Sequence, residues 1–221
     1  MRHTSTTHGT RRGIRTLART GTRTGVSLFT AAVAALSLIA LPGTATAAPG
    51  VTDGSVGTTG AAATKRLDIT MQAQQKTNWC WAAAGNTIAA WYGRGYSQNQ
   101  FCNAAFGRAQ GGDCPNSQAN LANVQTGLNW AGVNPGSYVT GWLRYPTVQS
   151  EINANRPIET RIQWSSGGGH MHVLYGYDDA DSWVYWGDPW PSNTRYNWAS
   201  HAWYVDNNTF SWTHSLYRIG A

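Results

Sequence analysis

The sequence predicts an α+β domain of two lobes, with helices first and an antiparallel sheet after them. Three observations carry this expectation. Apolar side chains recur at helical spacing between residues 80 and 155. From residue 158 onward they alternate with polar ones at the period of a strand. The 221-residue chain also uses 12 tryptophans with few charges around them, a composition that buries aromatics heavily or presents them in a cleft. A cleft between two such lobes is a natural place for a site.

The elements follow in order. Thr77-Asn78 precede an Ala-rich run from Cys80 to Tyr92, which predicts a first helix with Asn78 as its N-cap. Ala84, Ile88 and Trp91 share one face of it at i, i+4, i+7. Ser97 to Gln100 has the spacing of a capping box and opens a second helix, through about Phe106. A third is expected to start near Ser117, with Leu121, Val124 and Leu128 in register. A short fourth runs from Thr147 to Asn155, stopped by Pro157. Ile158 to Trp164 and His170 to Gly176 then alternate as strands. Turn chemistry at Asp178–Asp181 leads into Ser182 to Trp186 and completes a hairpin, and Phe210 to Ile219 supplies the last strand.

The first 47 residues read as an export signal. Arg2, Arg11, Arg12, Arg15, Arg19 and Arg23 form a basic start, with no acid before Asp53. An apolar run of about 16 residues, Val26 to Leu41, ends at Pro42-Gly43, and Ala45-Thr46-Ala47 offers a cleavage site. That run is short for a membrane span of roughly 20 residues, and no second one follows, so a secreted, soluble protein is expected. Thr10 to Arg15 loosely matches a twin-arginine signal, which leaves the export route open. Residues 48–66 are Gly/Ala/Thr-rich and are expected to be a linker or short pro-segment, with Lys65-Arg66 as a candidate processing pair. Residues 67–221 make the domain itself.

The net charge of +6 suggests an anionic partner, but its location does not. From Ala48 onward ten basic residues face ten acidic ones, so the mature chain is neutral and gives no case for nucleic acid.

Three cysteines in an exported domain leave one over. Cys102 and Cys114, either side of a Gly-rich stretch, are expected to form a disulfide worth about 3 kcal/mol in the chain-entropy model. Cys80 is then the unpaired thiol. It opens the first predicted helix, where the dipole and free N–H groups stabilise a thiolate and so make a nucleophile. The competing reading is a buried structural cysteine between Trp79 and Trp81.

Three features favour the nucleophile. Gln74, six residues earlier, is in reach to offer an N–H toward the same point as the Cys80 N–H, an oxyanion hole; Gln75 is its rival, and Gln72 a weaker third. Gly167-Gly168-Gly169 lets a substrate approach His170 at a strand start. The hairpin returns Asp188 beside His170, where it would fix the imidazole tautomer. His170 and His172 face the same way, so periodicity does not separate them. His201 and His214 are expected to be structural, while Trp79, Trp81 and Trp190 flank the site. The histidines and Asp178, Asp179 and Asp181 lack zinc-site spacing, and no metal or organic cofactor is expected.

Taken together, Gln74-x5-Cys80-Trp81-Ala82, His170-x5-Gly176-Tyr177 and Asp188-Pro189-Trp190 resemble the papain-like cysteine proteases. The resemblance is to the compact bacterial branch that includes type III effector proteases and secreted homologues, and it spans about residues 70–219. It implies a helical lobe carrying Cys80, a β lobe carrying His170, and the order Gln, Cys, His, Asn/Asp. The family spacing to Gly176-Tyr177 favours His170 over His172. Three departures from plant-type papain stand out: Asn78-Trp79 replaces Gly-Ser before the cysteine, Asp188 stands where papain has Asn, and no long inhibitory pro-domain is recognisable.

These readings lead to a secreted, monomeric thiol endopeptidase acting on polypeptides through Cys80, His170, Asp188 and Gln74. Two alternatives stay open. One uses the same thiol on cell-wall peptides or for acyl transfer to an amine. The other is a Trp-rich module that binds glycan or cell wall, with Cys80 merely buried.

Overall fold

The computed structural model describes residues 63–221. The expected export signal and residues 48–62 lie outside them. Five helices form: α1 Cys80–Trp91, α2 Gln98–Ala105, α3 Leu121–Trp130, α4 Tyr145–Asn153 and α5 His201–Val205. Seven strands join one antiparallel sheet: β1 Thr64–Arg66, β2 Ser137–Thr140, β3 Ile158–Trp164, β4 Gly169–Asp178, β5 Trp183–Gly187, β6 Tyr196–Ser200 and β7 Phe210–Tyr217. Their order is β2-β7-β3-β4-β5-β6, with β1 paired to the far end of β4. The expected α+β architecture is the one observed. Among the described residues no helix is long and apolar enough to cross a membrane.

The helix α1 is buried from Trp81 through Ala89 and packs against β4, α2 and α3. Its small alanines let three elements approach one helix. The cap differs from expectation: Trp79 holds that place without a side-chain bond. Asn78 is drawn away, its side chain donating to the Asn116 carbonyl and its backbone N–H to Asn116 Oδ1. In α2 the Ser97–Gln100 capping box forms as expected. The third helix starts later than Ser117, because Asn120 caps it by accepting from the Ala122 and Asn123 N–H groups. The fourth starts earlier than Thr147, at Tyr145, with Pro146 in its first turn.

Strand β3 has the predicted limits, and β4 extends the predicted one at both ends. Three short strands and α5 were not anticipated. Of these, β1 corrects the linker boundary: Thr64–Arg66 pair with Asp178–Gly176, and Arg66 lies 3.8 Å over the Tyr185 ring while donating to its hydroxyl. The Lys65-Arg66 pair is therefore held in a sheet rather than offered on a loop.

Two glycines set the spacing of the helical lobe. A Cβ at Gly85 on α1 or at Gly127 on α3 would come within 2.6 Å of the Phe101 ring of α2. Phe101 is fully buried and fills the space that both leave. Cys102 and Cys114, both buried, lie close by with Cα atoms 6.1 Å apart. Gly127→Ala should overpack this junction and lower stability by about 1–3 kcal/mol, read as a fall in melting temperature. An unchanged melting curve would mean that Phe101 yields without cost.

Candidate active site

The three elements that matter end at one cleft. Cys80 is the first residue of α1, His170 the second of β4, and Asp188 follows the last residue of β5. The β4–β5 register pairs Val173 with Gly187, so the next residue, Asp188, returns toward the start of β4. Cys80 and His170 line a cleft of about 300 Å³ with Thr77, Trp81, Arg161 and Trp190 among its walls.

Asp188 is buried and its carboxylate is fully engaged. Oδ1 accepts from His170 Nε2 at 2.7 Å and from the Trp190 N–H at 2.8 Å, and Oδ2 accepts from Asn193 Nδ2 at 2.9 Å. Holding Nε2 leaves Nδ1 as the imidazole nitrogen available to Cys80. Trp164 stacks on the ring at 5.9 Å, and Trp190 meets it edge-on at 6.2 Å.

His172 sits deeper, 2% exposed, with Nδ1 against the Tyr204 hydroxyl at 3.1 Å. Its Nε2 is 3.6 Å from Asp188 Oδ2. His170, His172 and Asp188 offer ligand atoms within 4.8 Å of one another, a set able to hold a metal ion. The Asp188 carboxylate is hydrogen-bonded to the His170 imidazole and to the turn behind it, while His172 Nε2, buried, makes no hydrogen bond. His201 Nε2 donates to the Leu143 carbonyl, and His214 contacts Thr213, both away from the cleft.

The electrostatics follow the contacts. Burial alone would lower the His170 pKa, but hydrogen bonds to Asp188 and Cys80, with the charges of both, push it up to about 9. Burial would likewise raise Asp188, yet its hydrogen bond to His170 and the nearby His172 imidazole hold it well below the usual carboxylate range. His172 is lowered by burial, which outweighs Asp188, and stays neutral. Glu159 on β3 is wholly buried with neither oxygen hydrogen-bonded, and burial, with Cys80 adding to it, raises its pKa well above the usual carboxylate range.

The structure brings together Cys80, His170 and Asp188, but Gln74 is placed otherwise than expected. Its Nε2 donates to the Lys76 carbonyl at 2.9 Å and to the Thr77 carbonyl at 2.8 Å, leaving the amide oxygen without a partner. Both hydrogens are thus committed to the turn before α1, and Gln74 lies outside the lining of the cleft. Neither rival replaces it. Gln75 is exposed, and the Gln72 oxygen accepts from Asn86 and Gln98 in a structural network. Trp81 and Trp190 do line the cleft, whereas Trp79 is buried and donates to the Pro115 carbonyl.

Sequence reasoning missed Trp164, Asn193 and Arg161. The first was visible as an aromatic just before the Gly run. The second was visible as an Asx residue closing the turn after Asp188.

A family model described as papain-like cysteine protease AvrRpt2 matches residues 63–209. Two solved structures are similar at 16% identity. One is a double glycine motif protease from an AMS/PCAT transporter in complex with the leader peptide, with a TM-score of 0.45 over 69% of this chain and 93% of the other. The second is the peptidase domain of Streptococcus ComA, a bifunctional ABC transporter involved in quorum sensing, at 0.47 over 66% and 95%. None of the curated proteins matches the chain.

Histidine-selective NMR should therefore show His170 protonated at neutral pH and titrating near 9, with His172 titrating below an ordinary imidazole. The linked stability has a defined sign. The His170 contribution is complete below pH 6.5 and is lost as pH rises through about 9. The Asp188 contribution is present above pH 3.8 and is lost as pH falls through its depressed value. A His170 signal titrating near 6.5 would contradict the ion-paired arrangement.

Proposed function

Because the chain belongs to the papain-like cysteine protease family of AvrRpt2, we propose that it is a secreted endopeptidase working through Cys80, His170 and Asp188. The observation that carries this reading is the Cys80 thiol at a helix start, lining one cleft with an imidazole whose Nε2 is fixed by a buried carboxylate. Every group named lies on one chain, so a single copy suffices.

The steps follow from the contacts. The Cys80 sulfur attacks the scissile carbonyl carbon while its proton rests on His170, and the carbonyl π pair moves to oxygen. The Cys80 N–H, in the first turn of α1 and so without an intrahelical acceptor, is one donor for that oxyanion. Gln74 serves here as the brace of the Lys76–Trp79 turn. Acting as a second donor would require its amide to release the Lys76 or Thr77 carbonyl. As the intermediate collapses, the C–N bond breaks and His170 gives its proton to the leaving amine. Water, deprotonated by His170, then attacks the thioester, freeing the acid and returning the thiol. Asp188 remains ionised throughout and keeps the imidazole oriented.

Export through the basic, apolar N-terminal segment agrees with a disulfide between Cys102 and Cys114. The intact mature protein should then weigh two hydrogens less than its reduced form, with one titratable thiol. Three titratable thiols would remove the bridge.

An epoxide-type papain inhibitor should label Cys80 alone, mapped by mass spectrometry. Cys80→Ala should abolish labelling and casein hydrolysis without loss of fold. His170→Ala should reduce turnover by about 100- to 10,000-fold, whereas His172→Ala should chiefly lower the melting temperature. Ordinary, slow alkylation of Cys80 and full activity in His170→Ala would defeat the proposal.

A further inference from the structure

The chemical character of the peptide that enters this cleft can be taken further, resting on the peptidase reading above. No aspartate or glutamate lines the cleft, and Arg161 is the one arginine or lysine in its wall. Arg161 sits on β3, paired with Met171 of β4 and His214 of β7. Its guanidinium lies over Gly169, immediately before His170: a Cβ at that glycine would come within 2.7 Å of Nη2. The last glycine of the run thus makes room for a cation beside the imidazole.

That cation has only neutral partners. Nη1 donates to Thr213 Oγ1 at 2.8 Å and Nη2 to Gln163 Oε1 at 2.9 Å. These satisfy two of the five N–H donors that a guanidinium carries. Among the described residues no carboxylate lies within ion-pair distance of it. The nearest acid along the strand is Glu159, two residues back on the same face. It is fully buried and neither of its oxygens makes a hydrogen bond, to Arg161 or to any other group. Arg161 is half-buried, and taking an arginine partly out of water without an acid is unfavourable. Trp164, Met171 and Ala119 provide apolar wall for the stem of an incoming side chain.

We propose that Arg161 determines specificity by receiving the carboxylate of an Asp or Glu side chain, within a residue or two of the bond that Cys80 attacks. The planar fork of a guanidinium suits that group better than any amide.

The test uses internally quenched peptides that differ only in Glu or Gln at each position from three before to two after the scissile bond. At one position the wild-type protein should favour Glu over Gln by on the order of tenfold or more in kcat/KM. Arg161→Gln should abolish that ratio, Arg161→Lys should keep part of it, and Arg161→Glu should shift preference to Lys at the same position. The same peptide pairs, titrated calorimetrically into Cys80→Ala, read recognition apart from turnover. Equal cleavage of Glu and Gln peptides at every position, or a preference that persists in Arg161→Gln, would overturn the proposal. Selective binding of the Glu peptide without cleavage of any peptide would support Arg161 as the acid receptor and sink the endopeptidase reading instead.

Discussion

A carboxylate taken out of water has to find donors for its oxygens, and Asp188 finds three, one on β4 and two in the turn that follows Asp188 itself. The imidazole of His170, the backbone of Trp190 and the amide of Asn193 converge on it. Each bond fixes something else. The first orients the catalytic ring, and the other two close the turn after β5. That turn in turn offers the Pro189 carbonyl to the Gln74 N–H at 2.8 Å, which anchors the segment leading into α1. The position of the nucleophile thus depends on the same carboxylate that orients the base.

Two of the buried acids are pushed in opposite directions. Asp188, surrounded by donors, is held well below the usual carboxylate range, while burial pushes Glu159, with none, well above it. Desolvation acts on both alike, so the hydrogen bonds decide the difference. The two histidines separate by similar logic. Asp188 and Cys80 raise the His170 pKa, whereas burial against Tyr204 and Trp186 lowers that of His172.

How much of this was legible in the sequence varies with how local each signal is. Cys80, His170 and Asp188 each stand at the edge of an element whose pattern is plain: an Ala-rich run, an alternating strand after glycines, a hairpin end. The direction of the Gln74 amide was not legible, because the carbonyls of Lys76 and Thr77 decide it and spacing does not describe them. The N-cap was missed for the same reason, Asn116 being a distant competitor for Asn78. Strands β1 and β2 are too short to display a period and exist through pairing with β4 and β7. By contrast Tyr196-Asn197-Trp198 in β6 does alternate, and that signal was there to be used. The contribution of Arg161 needed the register of three strands and the side chains facing its guanidinium, none of which a charge count contains.

The course of β4 has a consequence for how such a chain is trimmed. His170 stands at one end of this strand and the residues paired with β1 at the other. Eight residues separate His170 from Asp178, the partner of Thr64, a distance of about 26 Å at the usual rise of a strand. Bonds in and beside β1 therefore cannot reach the thiol of their own molecule while the sheet is intact. Any cut there by this protein has to be made by one copy on another, and its rate would be second order in protein concentration.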